Sequence, residues 1–298
     1  MTDDARAKFE RLVGELRPKL HRYCARMTGS AVDGEDIVQD ALMKALAALP
    51  NVGVIDNPEG WLFRIAHNAL DFLRRRARGP ILQNDEALDM IAAPDSPDQD
   101  HGIAAMSLRT FMRLPALQRS AVILKDVLGH SLEEVASITG ASEAAAKSAL
   151  QRGRVRLREI AREPADVSPL MLSDVMRARL IKYVEGFNTG DFNTVRAMLA
   201  DDVKLDLVAT LRKQGKSEVG EYYAAYAAAE QWAFAAGVVD GRAAMLVYDR
   251  DVSLGTPAYF VALDFVGDRV VSVHDFLYAR YAMDGIDLSP LYPEPRSR

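Results

Sequence analysis

The spacing of apolar residues divides this chain into a long helical first part and a second part where helices give way to strands. From Ala5 to Met27, Phe9, Leu12, Val13, Leu16, Leu20 and Tyr23 recur at helical intervals. A turn over Gly29–Gly34 leads to a second predicted helix with Ile37, Val38, Ala41, Leu42, Ala45 and Leu46 inward. Its outer face carries Glu35, Asp36, Gln39, Asp40 and Lys44. After a loop from Pro50 to Asp56, Asn57-Pro58 reads as a cap with proline in the first turn. The third helix then places Trp61, Leu62, Ile65, Ala66, Ala69, Leu70 and Leu73 inward and ends in Arg74, Arg75, Arg76 and Arg78. Residues 1–79 are therefore expected to form a helical bundle. Residues 80–106 read as a polar, proline-punctuated linker.

Residues 107–162 form a second predicted helical domain. Ser131 caps a helix and Glu134, three residues on, completes a capping box. Leu132, Val135, Ala136 and Thr139 make its buried stripe. Gly140 is the turn residue, Ser142 the next cap, and Ala146, Leu150, Gly153 and Leu157 the inner face of the following helix. The opposite arc holds Lys147, Ser148, Gln151, Arg152, Arg154 and Arg158. Two short helices with small residues inside and cationic donors outside suit a helix-turn-helix with an outermost recognition helix. A helical hairpin with a solvated charged face is the alternative reading of the same pattern. Pro164 stops the basic helix, and 163–172 reads as a second linker.

From about Ser173 the pattern changes. A helix over Val175–Phe187 and an Asn188-Thr189-Gly190-Asp191 turn precede a short helix to Leu199, a strand at Val203–Ala209 and a helix around Glu218–Ala228. Strands are then expected at Ala243–Tyr248, Tyr259–Val266 and Val270–Tyr281, antiparallel because turns such as Gly267-Asp268 are tight. The expectation for 173–285 is an α+β cone, with 286–298 a loose tail.

Charge sharpens this picture. The net charge of −5 is that of 37 Lys+Arg against 42 Asp+Glu. Residues 164–298 supply all of it, and the first part balances. Two basic clusters, Arg74–Arg78 and Lys147–Arg162, flank a stretch from Gly79 to Leu108 without Lys or Arg that contains Asp85, Glu86, Asp89, Asp95, Asp98 and Asp100. Local field, not total charge, decides phosphate binding. The single cysteine, Cys24, excludes an internal disulfide and a cysteine-based zinc site, and no cofactor or metal is expected. No apolar run reaches the roughly 18 residues of a membrane span, and the N-terminus lacks a signal-peptide core, so a cytoplasmic protein is expected.

EDIVQDALMKAL at 35–46 and NPEGWLFRIAHNALDFLRRR at 57–76 resemble domain 2 of the extracytoplasmic-function sigma factors of bacterial RNA polymerase. LPALQRSAVILKDVLGHSLEEVASITGASEAAAKSALQRGRVRLR at 114–158 resembles their domain 4. The resemblance implies a multidomain protein, two all-α sigma domains followed by the α+β cone, that brings core polymerase to promoters and performs no chemistry itself. It implies that Asp36, Gln39 and Asp40 dock on the clamp helices of the polymerase β′ subunit, and that Leu49–Asp56 receives a flipped −10 base. Asn68, Asp71, Arg74 and Arg75 would face the −10 element; Lys147, Ser148, Gln151 and Arg152 would read the −35 element. His67 stands where relatives commonly carry arginine. YVEGFNTGDFNTVRAMLADDVKLDL and the closing VVSVHDFLYARY resemble the SnoaL-like branch of the NTF2-like fold. That likeness implies a pocket in which Asp206 and His274 could pair, and a domain that tunes the sigma domains by intramolecular contact. The competing readings are a ligand-sensing DNA-binding regulator that never enters polymerase, and an SnoaL-type enzyme on a DNA tether.

Overall fold

The computed structural model describes residues 3–53, 55–78, 103–163, 172–228 and 231–292. The chain divides into two compact units, Met1–Asp166 and Val167–Arg298, with the boundary inside the expected second linker. The acidic stretch up to residue 102 and most of that second linker lie outside the described residues.

The first unit is helical: α1 (Asp3–Thr28), α2 (Ala31–Ala48), α3 (Pro58–Arg78), α4 (Leu108–Met112), α5 (Ala116–Val122, running on as a π-helical turn over Ile123–Val127), α6 (Leu132–Thr139) and α7 (Glu143–Arg162). Capping places the helix starts. The Asp33 amide donates to Ser30 Oγ at 3.2 Å at the head of α2. At the head of α6 the Glu134 amide donates to Ser131 Oγ (3.1 Å) and the Ser131 amide to Glu134 Oε2 (2.8 Å), the expected capping box. The Ser131 amide holds the Glu134 carboxyl below the usual carboxylate range. Gly140, at φ 73°, ends α6 in the left-handed conformation that lets α7 turn away, and Ser142 caps α7.

Two assignments on α2 change. Glu35, expected on the outer face, is 1% exposed and ion-paired with Arg17 of α1. Leu46, expected inside, is 41% exposed. Periodicity alone misplaces Glu35, because the Arg17 guanidinium of α1 meets its carboxylate inside the unit.

The larger difference lies in the core. Two helical domains are expected, yet the buried residues form one cluster from Phe9 on α1 to Ile160 on α7. Each half is small, and small bodies bury proportionally less of their surface, so pooling the apolar faces gains burial. One close crossing inside this unit, that of α5 and α7, is at Gly153 of α7. A Cβ there would lie 2.7 Å from Val122 Cγ2 and 3.2 Å from the Gln118 carbonyl oxygen on α5.

The second unit contains α8 (Asp174–Thr189), α9 (Phe192–Ala197), β1 (Leu199–Leu207), β2 (Leu211–Gln214), α10 (Lys216–Ala228), β3 (Trp232–Val239), β4 (Arg242–Asp249), β5 (Tyr259–Val266), β6 (Arg269–Asp275) and β7 (Leu288–Pro290). One sheet runs β2-β1-β6-β5-β4-β3-β7. β1 and β6 pair in parallel and all other neighbours antiparallel. α8 and α10 pack their aromatic residues on the sheet face carrying Leu205, Phe234, Met245, Val261 and Val273.

The α+β expectation holds, with three added strands. β3, WAFAAGVV, is buried at every position, so it shows no alternation, and its alanines and glycine carry little strand preference. β7 lies in the tail expected to be loose: Leu288–Pro290 pairs with Gly237–Val239 at the sheet edge. The last long strand stops at Asp275, where a short loop and a 3-10 turn (Arg280–Met283) replace the expected extension to Tyr281.

Candidate functional site

On α2, Asp36 and Asp40 are exposed, Gln39 is half-buried, and Met43, 65% exposed, follows on the same side. The three residues expected to meet a partner therefore share one outward face, continued by an apolar residue that sequence reading left out. On α3, Asn68 is exposed and Asp71 half-buried, one turn apart on the outward side. The side chains of Arg74 and Arg75 lie outside the described residues. His67 does not point to solvent: its Nδ1 is 2.7 Å from Tyr23 Oη.

The arc expected to read DNA divides in two. Lys147 is exposed, and Ser148, Gln151 and Arg152 are half-exposed on the same side of α7. Arg152 Nη1 donates to Ser148 Oγ at 2.8 Å, so the serine orients the guanidinium. Arg154, placed on that arc by periodicity, is engaged elsewhere. Its Nε and Nη2 form a fork on Asp126, at 2.8 and 2.5 Å, and that carboxylate raises its pKa. A cleft of about 440 Å³ opens beside α7, lined by Arg113, Gln118, Arg152, Val155, Arg156 and Glu159. Its charges are partly matched within the unit, since Arg113 pairs with Glu163 and Arg156 with Glu159.

In the second unit, Asp206 and His274 are register partners on the parallel β1–β6 pair. They are thus brought together, but on the face opposite Leu205, Val273 and Asp275. Asp206 accepts from Arg212 Nε at 3.0 Å, and His274 Nδ1 lies 3.5 Å from Ser272 Oγ. Strand alternation is the reason: the residue after His274 turns inward. Asp275, 1% exposed, is the carboxylate inside the fold. Its Oδ2 accepts from Tyr222 Oη (2.8 Å) and Tyr226 Oη (2.5 Å), and its Oδ1 from the Leu277 amide (2.9 Å). Tyr226 Oη is also 3.0 Å from Tyr259 Oη, and Tyr183 and Tyr223 join hydroxyls at 2.6 Å. The spacing Tyr222, Tyr223, Tyr226 on one helix was the available signal for this cluster.

Burial pushes the Asp275 carboxyl above the usual carboxylate range, and hydrogen bonds from Tyr226, Leu277 and Tyr222 pull it partly back. A carboxyl with a raised folded-state pKa binds its proton more tightly folded than unfolded. Its contribution to stability is thus full in acid and is lost as pH rises from about 4 through the raised value. Asp275→Asn is expected to remove this slope. With Trp61→Phe in the background, Trp232 reports the second unit alone, and urea midpoints against pH should fall less steeply for the Asn variant. Identical slopes would contradict the assignment.

Residues 12–79 match the family model for sigma-70 region 2, and residues 108–157 that for sigma-70 region 4. The chain is 26% identical to the extracytoplasmic-function sigma factor SigG of Mycobacterium tuberculosis, covering 92% of this chain and 82% of SigG. It is 31% identical to the sigma factor CarQ of Myxococcus xanthus, over 53% of this chain and 91% of CarQ. Among solved structures, the extracytoplasmic-function sigma factor SigJ of Mycobacterium tuberculosis is 21% identical with a TM-score of 0.36, over 90% of this chain and 94% of that one.

Proposed function

The chain belongs to the extracytoplasmic-function sigma factors of the sigma-70 family, and on that premise we propose how its parts divide the work. It is an alternative sigma factor that directs core RNA polymerase to promoters, with an NTF2-like unit behind its two sigma regions. The outward face of α2, with Asp36, Gln39 and Asp40, docks on the clamp helices of the β′ subunit, and Met43 adds an apolar anchor. Asn68, Asp71, Arg74 and Arg75 of α3 face the −10 element, next to the 49–56 loop. Lys147, Ser148, Gln151 and Arg152 enter the major groove at the −35 element, where Lys and Arg suit guanine and Gln suits adenine. The second unit, acidic overall, modulates these activities. No catalytic role is assigned to it, and the protein works in the cytoplasm where the polymerase is.

The observation that carries this reading is the pairing, within one helical unit, of an exposed polar face on α2 with a fully capped helix-turn-helix whose Lys147 and Arg152 stay on the outside. Run-off transcription with core polymerase on a promoter library tests it, comparing the full chain with residues 1–163. Promoter-specific initiation is the expected result, with a different output from the shortened chain. Duplex DNA binding without initiation from either would support the ligand-sensing regulator instead.

Asp36→Ala with Asp40→Ala is expected to weaken core binding about tenfold while leaving thermal stability unchanged, since both carboxylates are solvent-facing. Titration of fluorescent sigma with core polymerase measures it, and wild-type affinity in the double variant would remove the docking assignment.

A further inference from the structure

Among the described residues the open sheet of the second unit has two edges, formed by β2 and β7. β2 is four residues long and carries Arg212 and Lys213. Short, charged edge strands resist pairing with a further chain. At the other side, β7 covers β3, which is eight residues long and reads WAFAAGVV. β3 has no charge and no proline, the composition that lets a bare strand pair with its own kind.

The outward backbone groups of β3 are covered by contacts of three kinds. The Arg250 amide donates to the Gln231 carbonyl oxygen at 2.9 Å on the β4 side, whereas the Ala236 carbonyl oxygen accepts from the Leu291 amide at 2.8 Å on the other. Peptide groups alternate between the two neighbours of an antiparallel strand, so the even-numbered residues of β3 face outward. The Trp232 carbonyl oxygen accepts from Arg250 Nε at 3.2 Å, and that of Phe234 from Asn188 Nδ2 at 3.0 Å. Val238 lies opposite Ser289 of β7, and the Asp240 amide donates to the Asp287 carbonyl oxygen at 2.9 Å. Side chains thus close the first half of this edge, and the C-terminal segment closes the second.

That segment is lightly anchored. Asp240, at φ 49° in the turn between β3 and β4, accepts the Asp287 amide on Oδ1 at 3.0 Å. Leu291 packs against the core of the unit, while Ser289 and Pro290 are exposed. Pro290 lies opposite Gly237, an inward-facing residue, so its nitrogen turns away from β3. A further strand would need a donor there, and proline has none. The fit over Gly237 is close: an added Cβ would lie 3.0 Å from the Ser289 carbonyl oxygen and 2.6 Å from Leu246 Cδ1. The segment therefore completes the sheet and offers a poor edge of its own.

We propose that residues 286–292 are an edge guard, and that the β3 edge beneath them is a self-association surface whose partner, once the guard is displaced, is β3 of a second copy of this chain. Pairing about a two-fold axis sets a strand against itself, so it needs a strand without like charges. β3 meets that requirement and β2 does not. The tethered guard competes at an effective concentration of about millimolar, far above that of a second copy in dilute solution. It keeps the chain single, and this holds whether or not the chain enters polymerase.

Light scattering at micromolar concentration tests the guard on the full chain, on a chain ending at Gly285 and on full-length Asp240→Gly. Wild type is expected to be monomeric and the shortened chain to double in mass. Asp240→Gly keeps the left-handed turn but deletes the acceptor for the Asp287 amide, and is expected to add a concentration-dependent dimer. A peptide of residues 286–298 in excess should return the shortened chain to monomer. Ala236→Pro in the shortened chain should do the same, because it removes an outward amide and leaves the bonds to β4. A shortened chain that stays folded by circular dichroism and monomeric overturns the guard. So does a wild-type dimer, a dimer that the peptide leaves intact, or a folded Ala236→Pro protein that still pairs. If the shortened chain does not fold, Asp240→Gly carries the test, and a monomer at every concentration overturns the proposal.

Discussion

Replacing Lys147 and Arg152 together by alanine is expected to lower promoter-specific initiation about a hundredfold, with little effect on core polymerase binding. Both side chains stand on the outward side of α7, clear of the Ala146, Leu150, Gly153 and Leu157 stripe that holds the helix in place. On the proposed reading each is a groove contact of the kind worth about 1–3 kcal/mol, so losing two gives on the order of 10²-fold or more. Arg154→Ala is the informative contrast. Its guanidinium is already committed to Asp126 through two hydrogen bonds, so its loss should lower thermal stability more than −35 recognition. Ser148→Ala should give an intermediate result, because Arg152 would lose the hydroxyl that orients it. Competition binding of holoenzyme to promoters with and without the −35 element separates the three. A double variant that retains the wild-type preference for the −35 element would refute the recognition surface.

Gly153→Leu is expected to destabilise the helical unit severely. Even the first added carbon would lie 2.7 Å from Val122 Cγ2 and 3.2 Å from the Gln118 carbonyl oxygen. The backbone of α5 cannot yield as the end of a flexible side chain could. Overpacking of this kind costs about 1–3 kcal/mol and the larger side chain more, outweighing the roughly 1 kcal/mol that glycine sacrifices in a helix. A loss near 3 kcal/mol would lower the melting temperature of a body this size by about 6–12 °C. Gly14→Ala supplies the opposite expectation in the same unit. Nothing lies within 4 Å of its added carbon, so helix preference alone acts and stability rises slightly. Thermal unfolding followed by circular dichroism tests both, and a Gly153→Leu protein as stable as wild type would contradict the close crossing of α5 and α7.

Local chemistry was legible from the residues themselves. Ser131 with Glu134, Gly140, Ser142 and Asn57-Pro58 each fix a helix end through contacts within a few positions, so the helix-turn-helix and α3 fall where the sequence places them. The exposed side of Asp36 and Asp40 and the strand at Tyr259–Val266 follow equally from short-range periodicity. Contacts between distant segments were not legible. Glu35 is buried because Arg17, 18 residues earlier, meets it. Arg154 is withdrawn from the arc expected to read DNA by Asp126, 28 positions away. β3 has no alternating pattern because both of its faces are covered, and β7 becomes a strand only because β3 offers it a free edge. The exchange of Met27 and Ala104 carbonyls for Arg119 and Arg26 joins halves that the sequence presents as two domains. Asp275, not His274, faces the tyrosines of α10, a choice made by one step of strand register. The sequence by itself determined where helices begin, which faces are apolar and which family's motifs are present, because these depend on neighbours along the chain. The tertiary structure alone decided which charges are free to bind, since a guanidinium or carboxylate is free only if no partner from a remote segment reaches it first.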